Sequence, residues 1–156
     1  ALFERFNIEA IATTEGALDD LRWHDMIKAS GWGGKVVTAY RPDSVVDPEF
    51  EGFAGNLDQF GELTGENVQS WSGYLAAHRQ RRDYFRARGA TSSDHGHASA
   101  RTANLSKAGC EALFAKVIAG KADAQDADLF RGQMLTEMAR MSLDDGLVMQ
   151  SATSRA

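Results

Sequence analysis

Two stretches of this chain have residue types and spacing suited to chemistry: Arg41-Pro42-Asp43 and Ser93-Asp94-His95-Gly96-His97. A guanidinium on a short, stiff loop can grip a carboxylate bidentately, and Pro42 keeps the backbone of Arg41 extended. A carboxylate beside an imidazole, Asp94 and His95 aimed into one mouth, supplies acid and base groups for moving a proton. Together they point to an acidic small molecule undergoing proton transfer, gripped by Arg41 and worked on by Asp94 and His95. Other readings stay open. Arg41 with Asp43 also fits an ion pair of the turn. His95-x-His97 fits a metal dyad, because alternate residues of an extended segment point the same way, although no further ligand lies nearby. His24 and His78 read as surface or satisfied core residues. No Ser-His-Asp order, Walker loop or nucleophile elbow is present.

Such groups need elements to present them. Short apolar runs at residues 8–13, 35–40, 90–93 and 146–150 alternate with stretches of helical period, the signature of a parallel sheet with crossover helices. A helix over 17–30, with Leu18, Leu21, Met26 and Ile27 inward and Gly31 as its stop, separates the first two runs. Two helical patterns follow the second run, one through Phe50, Phe53, Leu57 and Phe60, the other through Trp71, Tyr74, Leu75, His78, Arg82 and Phe85. Arg79, Arg81, Arg82, Arg86 and Arg88 on that second helix read as a solvated outer face rather than a phosphate-binding strip. Helices over 107–119, with Ser106 as N-cap, and 123–142, with Leu129, Met134, Leu135, Met138 and Met141 inward, precede the last run. Gly31-Trp32-Gly33-Gly34 precedes a strand instead of following one, so it is not a dinucleotide-binding turn. The fold class expected is α/β, a partial (β/α)8 TIM-type barrel of about four strands with one- and two-helix crossovers. A whole barrel takes roughly 200 to 400 residues, so 156 residues would supply about half. Ligands of such sheets bind at the carboxyl ends of the strands, where Thr13-Thr14-Glu15, Arg41-Pro42-Asp43 and the Asp94 segment fall.

Composition bounds the partners. With 17 basic and 22 acidic side chains the net charge is −5, which leaves no broad basic face for nucleic acid or an anionic membrane. No apolar run approaches the roughly 18 to 20 residues of a membrane span. The single Cys110 excludes an internal disulfide and a cysteine zinc cage, and fits a reducing cytoplasm. The chain lacks an initiator Met and opens on what reads as the last turn of a helix, so it is expected to be a piece of something longer. Residues 1–150 are expected to form the barrel segment and 151–156 an atypical tail.

The series Ala12-Thr13-Thr14-Glu15, Tyr40-Arg41-Pro42-Asp43, Ser93-Asp94-His95-Gly96 and Gly146-Leu147-Val148-Met149-Gln150 resembles the uronate isomerase family of the amidohydrolase superfamily. The resemblance covers nearly the whole chain. It implies an aldose–ketose isomerase that interconverts D-glucuronate with D-fructuronate and D-galacturonate with D-tagaturonate, in hexuronate breakdown. It also implies substrate contact by Arg41 and Asp94, and a divalent metal, zinc, bound through residues outside this segment, so no cofactor is assignable within it. The family pattern carries a histidine after Met149-Gln150, where this chain reads Ser151-Ala152-Thr153-Ser154-Arg155-Ala156. The rival expectations are a metal-assisted hydrolase using His95 and His97, and a non-catalytic module that binds sugar acids or assembles. A severed barrel has open edges, so marginal stability and self-association into a homo-oligomer are expected.

Overall fold

In the computed structural model, which describes residues 2–153, four parallel strands stand in sequential order: β1 (Ala10–Gly16), β2 (Lys35–Arg41), β3 (Ser92–His97) and β4 (Val148–Thr153). A doubly wound sheet reverses its strand order at a switch point, whereas a (β/α)8 barrel adds strands one after another, and this sheet is built the second way. The helices are α1 (Leu2–Arg5), α2 (Arg22–Ala29), α3 (Asp43–Val46), α4 (Phe53–Thr64), α5 (Trp71–Ala87), α6 (Lys107–Ile118) and α7 (Ala124–Asp145). No helix among the described residues is long and apolar enough to cross a membrane.

Local chemistry sets the long helices. Ser70 and Ser106 accept from the backbone N–H of Gly73 and Gly109, three residues on, at 3.1 and 3.2 Å. Asp123 and Asp126 close a capping box at the start of α7, and Gly146, at φ 77°, ends it in the left-handed conformation that glycine takes most easily. The core lies between sheet and helices, where Tyr40, Phe60, Tyr74, Phe85, Phe114, Phe130, Met134, Met138 and Met141 are all buried.

Three expectations need correction. Strands β1, β3 and β4 run farther toward their carboxyl ends than the apolar runs, because ladder hydrogen bonds come from the backbone and continue through polar residues. Glu15 pairs with Tyr40, and His95 with Ser151. Residues 151–153, expected to begin a tail, continue β4, and residues 154–156 lie outside the described ones. The first crossover helix starts only at Arg22, since Arg81 donates to the carbonyls of Ala17 and Asp19 and holds that segment as a loop. Leu18 and Leu21 reach the core from this loop, whereas Met26 is 59% exposed and Ile27 is exposed as well. On α5, Arg81 and Arg82 are buried rather than solvated. Arg82 lies on the inward stripe of Tyr74, His78 and Phe85, at helical spacing.

Candidate functional site

Alternation along the strands decides which groups meet. In β3, Ser93, His95 and His97 are buried, while Ser92, Asp94 and Gly96 face the other way and are half-buried. The register pairs Ala39 with Ser92 and Tyr40 with Ser93, so one step further Arg41 stands beside Asp94 on the face away from the helices. The ion pair is made: Arg41 Nη2 lies 3.1 Å from Asp94 Oδ2. Arg41 Nε lies 3.1 Å from Asp43 Oδ2. This second contact is one of charge, because the buried Nε–H has no acceptor aligned with it. Asp43 in turn accepts from the backbone N–H of Gly96 with both oxygens, each at 3.1 Å. Burial pushes the Asp43 carboxyl above the ordinary range, against the Gly96 hydrogen bond and the Arg41 charge. The Arg41 side chain remains 40% exposed, open to a ligand.

His95 does not share this mouth. The expectation that Asp94 and His95 aim into one opening is corrected by the pleat, which sends adjacent side chains to opposite faces. His95 is wholly buried on the helix side, its Nε2 3.0 Å from Ser93 Oγ and its Nδ1 without a partner. Burial, followed by the charges of His97, Arg82 and Arg41, lowers its pKa to about 3. His97 stacks on it at 6.0 Å, and neither His97 ring nitrogen has a partner. The two do point the same way, but among the described residues no three His, Cys, Asp or Glu side chains gather where they could hold a metal.

The two other histidines brace the scaffold. His78 Nδ1 lies 2.8 Å from the Tyr40 hydroxyl, deep under the sheet. His24 Nε2 lies 2.9 Å from Thr13 Oγ1 and 3.6 Å from Glu15, whose carboxylate also accepts from Thr38. Thr13 and Glu15 thus turn toward α2 rather than toward a ligand. Sequence reasoning missed the part played by Gly96. Its signal was a glycine directly after the Asp94-His95 pair within a strand, a common mark of close backbone approach. A cavity of about 490 Å³ lined by Lys28, Lys35, Arg86 and Arg88 opens at the amino ends of the strands, opposite Arg41 and Asp94.

The chain matches the family described as glucuronate isomerase over residues 1–155. It is 67% identical over 150 residues to a uronate isomerase of Mesorhizobium japonicum, covering 96% of this chain and 32% of that protein. It is 68% identical over 150 residues to one of Xanthomonas euvesicatoria pv. vesicatoria, with the same coverage. It superposes with a TM-score of 0.93 on the crystal structure of glucuronate isomerase from Caulobacter crescentus, at 57% identity, covering 97% of this chain and 32% of that one. A uronate isomerase of Thermotoga maritima, 22% identical, superposes at 0.89 over 96% of this chain and 34% of its own, a likeness of fold. The chain spans 32% of the length of the curated relatives it matches.

Proposed function

From a chain that belongs to the glucuronate isomerase family, we propose that it supplies the carboxylate grip and a proton-transfer group to a uronate isomerase. The whole protein would convert D-glucuronate to D-fructuronate and D-galacturonate to D-tagaturonate, in hexuronate breakdown in the cytoplasm. The observation that carries this reading is the Arg41–Asp94 pair, held on one face at adjacent strand ends. A uronate offers a carboxylate for Arg41 and, next to its aldehyde, a C2 hydrogen for Asp94.

When the substrate carboxylate docks on Arg41 it competes with Asp94 for the guanidinium, which frees the Asp94 carboxylate to face C2. Asp94 then takes the C2 proton. The C–H electron pair becomes the C1–C2 double bond of an enediol as the carbonyl oxygen gains a proton from solvent. Return of the proton to C1, with loss of one from the C2 hydroxyl, gives the ketose. His95, on the far face, is assigned to packing behind β3 rather than to proton transfer.

Arg41, Asp43 and Asp94 together carry one positive and two negative charges, so an anionic substrate needs further positive charge from the rest of the mouth. A divalent metal such as zinc, held outside this segment, would supply it and polarise the substrate carbonyl; the described residues form no such site, and no step here depends on it. The outer edges of β1 and β4 support self-association of the segment by itself.

The test is conversion of D-glucuronate by the full-length protein and its Arg41→Ala and Asp94→Asn variants. Turnover by the parent, with a KM raised in Arg41→Ala and a kcat reduced in Asp94→Asn, is expected. A folded, metal-loaded parent without turnover leaves only a binding module.

A further inference from the structure

We propose that Asp43 is a positioning residue for the substrate carboxylate, which sets the Arg41 guanidinium from its Nε side while itself anchored on the backbone of Gly96. The inference rests on the reading of Arg41 as the carboxylate grip and assigns the group that keeps that grip in place.

Three observations carry it. Asp43 links the carboxyl ends of two strands: Oδ2 faces Arg41 Nε of β2 at 3.1 Å, and both oxygens accept from Gly96 N of β3 at 3.1 Å. A side chain two residues beyond β2 thereby ties the arginine to the strand that carries Asp94. Next, this approach accounts for a glycine at position 96. A Cβ there would lie 2.6 Å from Asp43 Oδ2 and 3.4 Å from Arg41 Nη2. Gly96 has no positive φ among the glycines that do, so glycine is needed for space rather than for backbone freedom. Last, burial raises the pKa of this half-buried carboxyl, and the Gly96 N–H and the Arg41 charge are the two contacts that oppose the rise, so its charged form depends on the same groups it bridges. A turn alone could be closed by a neutral Asn acceptor, without the burden of a buried charge.

The physical sense is pre-organisation. Arg41 is exposed over two-fifths of its side chain and carries many rotamers. Charges at Nε and Nη2 fix the plane of the guanidinium and leave its outer edge for the incoming carboxylate, so less freedom is lost on binding.

The experiment is a double-mutant cycle in the full-length enzyme, with KM and kcat for D-glucuronate and the melting temperature of each variant. Asp43→Asn is expected to raise KM about tenfold with kcat within about threefold, the loss of one close charge contact. Gly96→Ala, which pushes the carboxylate away without removing it, is expected to raise KM in the same direction. In the Arg41→Ala background, Asp43→Asn should add nothing, since its effect runs through the arginine. A raised KM in Arg41→Ala with no change in Asp43→Asn overturns the inference and leaves the Arg41 reading standing, and so does additivity in the double variant. A lower melting temperature and kcat at unchanged KM assign Asp43 to the turn alone and also overturn it. An unchanged KM in Arg41→Ala sinks the Arg41 reading, and this inference with it.

Discussion

The Arg82 guanidinium, wholly buried on α5, holds both carboxylate oxygens of Asp145, at 2.5 Å from Nε and 3.0 Å from Nη2. Asp145 is the last residue of α7, and its Oδ1 also accepts from Leu147 N at 3.0 Å, so the pair fixes the point from which β4 departs. Ser142 Oγ takes a further Nη2 hydrogen bond at 2.9 Å.

Breaking this pair is expected to be far more damaging than breaking its neighbour. Asp145→Ala leaves a buried cation uncompensated and should cost about 3–5 kcal/mol. Arg79–Asp144, three residues before Arg82 on α5 and one before Asp145 on α7, is short as well at 2.7 Å but exposed on both sides, and Asp144→Ala should cost less than about 1 kcal/mol. Urea titrations of the two variants decide it, and equal losses would refute the distinction. Burial works to raise the Asp145 carboxyl, but its hydrogen bonds to Arg82 and Leu147 outweigh this and hold it below the ordinary value. The contribution of the pair is therefore present above about pH 4 and fades as pH falls through the lowered folded value.

Acid sensitivity should begin well above that range, and histidines should cause it. Burial lowers the pKa of His78, His95 and His97, with His95 brought to about 3. Unfolded, each takes a proton near pH 6.5; folded, each resists until lower pH, so the unfolded state binds more protons and stability falls as pH drops. The slope is about 1.4 kcal/mol per pH unit for each histidine that stays neutral. Melting temperatures from pH 8 to 5 should decline below about 6.5, less steeply in His95→Gln. A flat profile would contradict the buried neutral state.

Asp94 and His95 are neighbours with opposite expected phenotypes. Asp94→Asn should reduce kcat by about 10²- to 10⁴-fold, the usual contribution of a positioned proton-transfer group, at nearly unchanged melting temperature. His95→Gln should lower the melting temperature and change kcat less than about tenfold, because its ring packs behind the strand. The reverse pattern would return the acid–base part to the histidine.

The outer edges of β1 and β4 pair with no strand among the described residues, and Ile11 and Val148 on them are 38% and 64% exposed. The isolated 156-residue chain is expected to self-associate through them. Light scattering after size exclusion should show assemblies that Ile11→Lys with Val148→Lys reduces toward monomer. A monomeric parent with a sharp melt would rule the expectation out.

Much of the fold was legible because it is written in local pattern. Apolar runs, helical spacing and the Ser106 cap depend on residues near one another in sequence, and they gave four strands, sequential crossovers and the core side of α6 and α7. The motifs around Arg41 and Asp94 were legible for the same reason, as short strings at the ends of apolar runs.

The tertiary structure decided what depends on register and pleat. Only pairing between strands puts Arg41 beside Asp94, and only alternation turns His95 away from both. Strand lengths exceeded the apolar runs because the ladder is indifferent to side chains, so polar ends stayed in the sheet. The burial of Arg82 followed from a partner, Asp145, 63 residues away, and the need for Gly96 followed from Asp43, 53 residues before it. Hydrophobic burial is read residue by residue, whereas a charge becomes tolerable inside a protein only where the fold brings its partner to it.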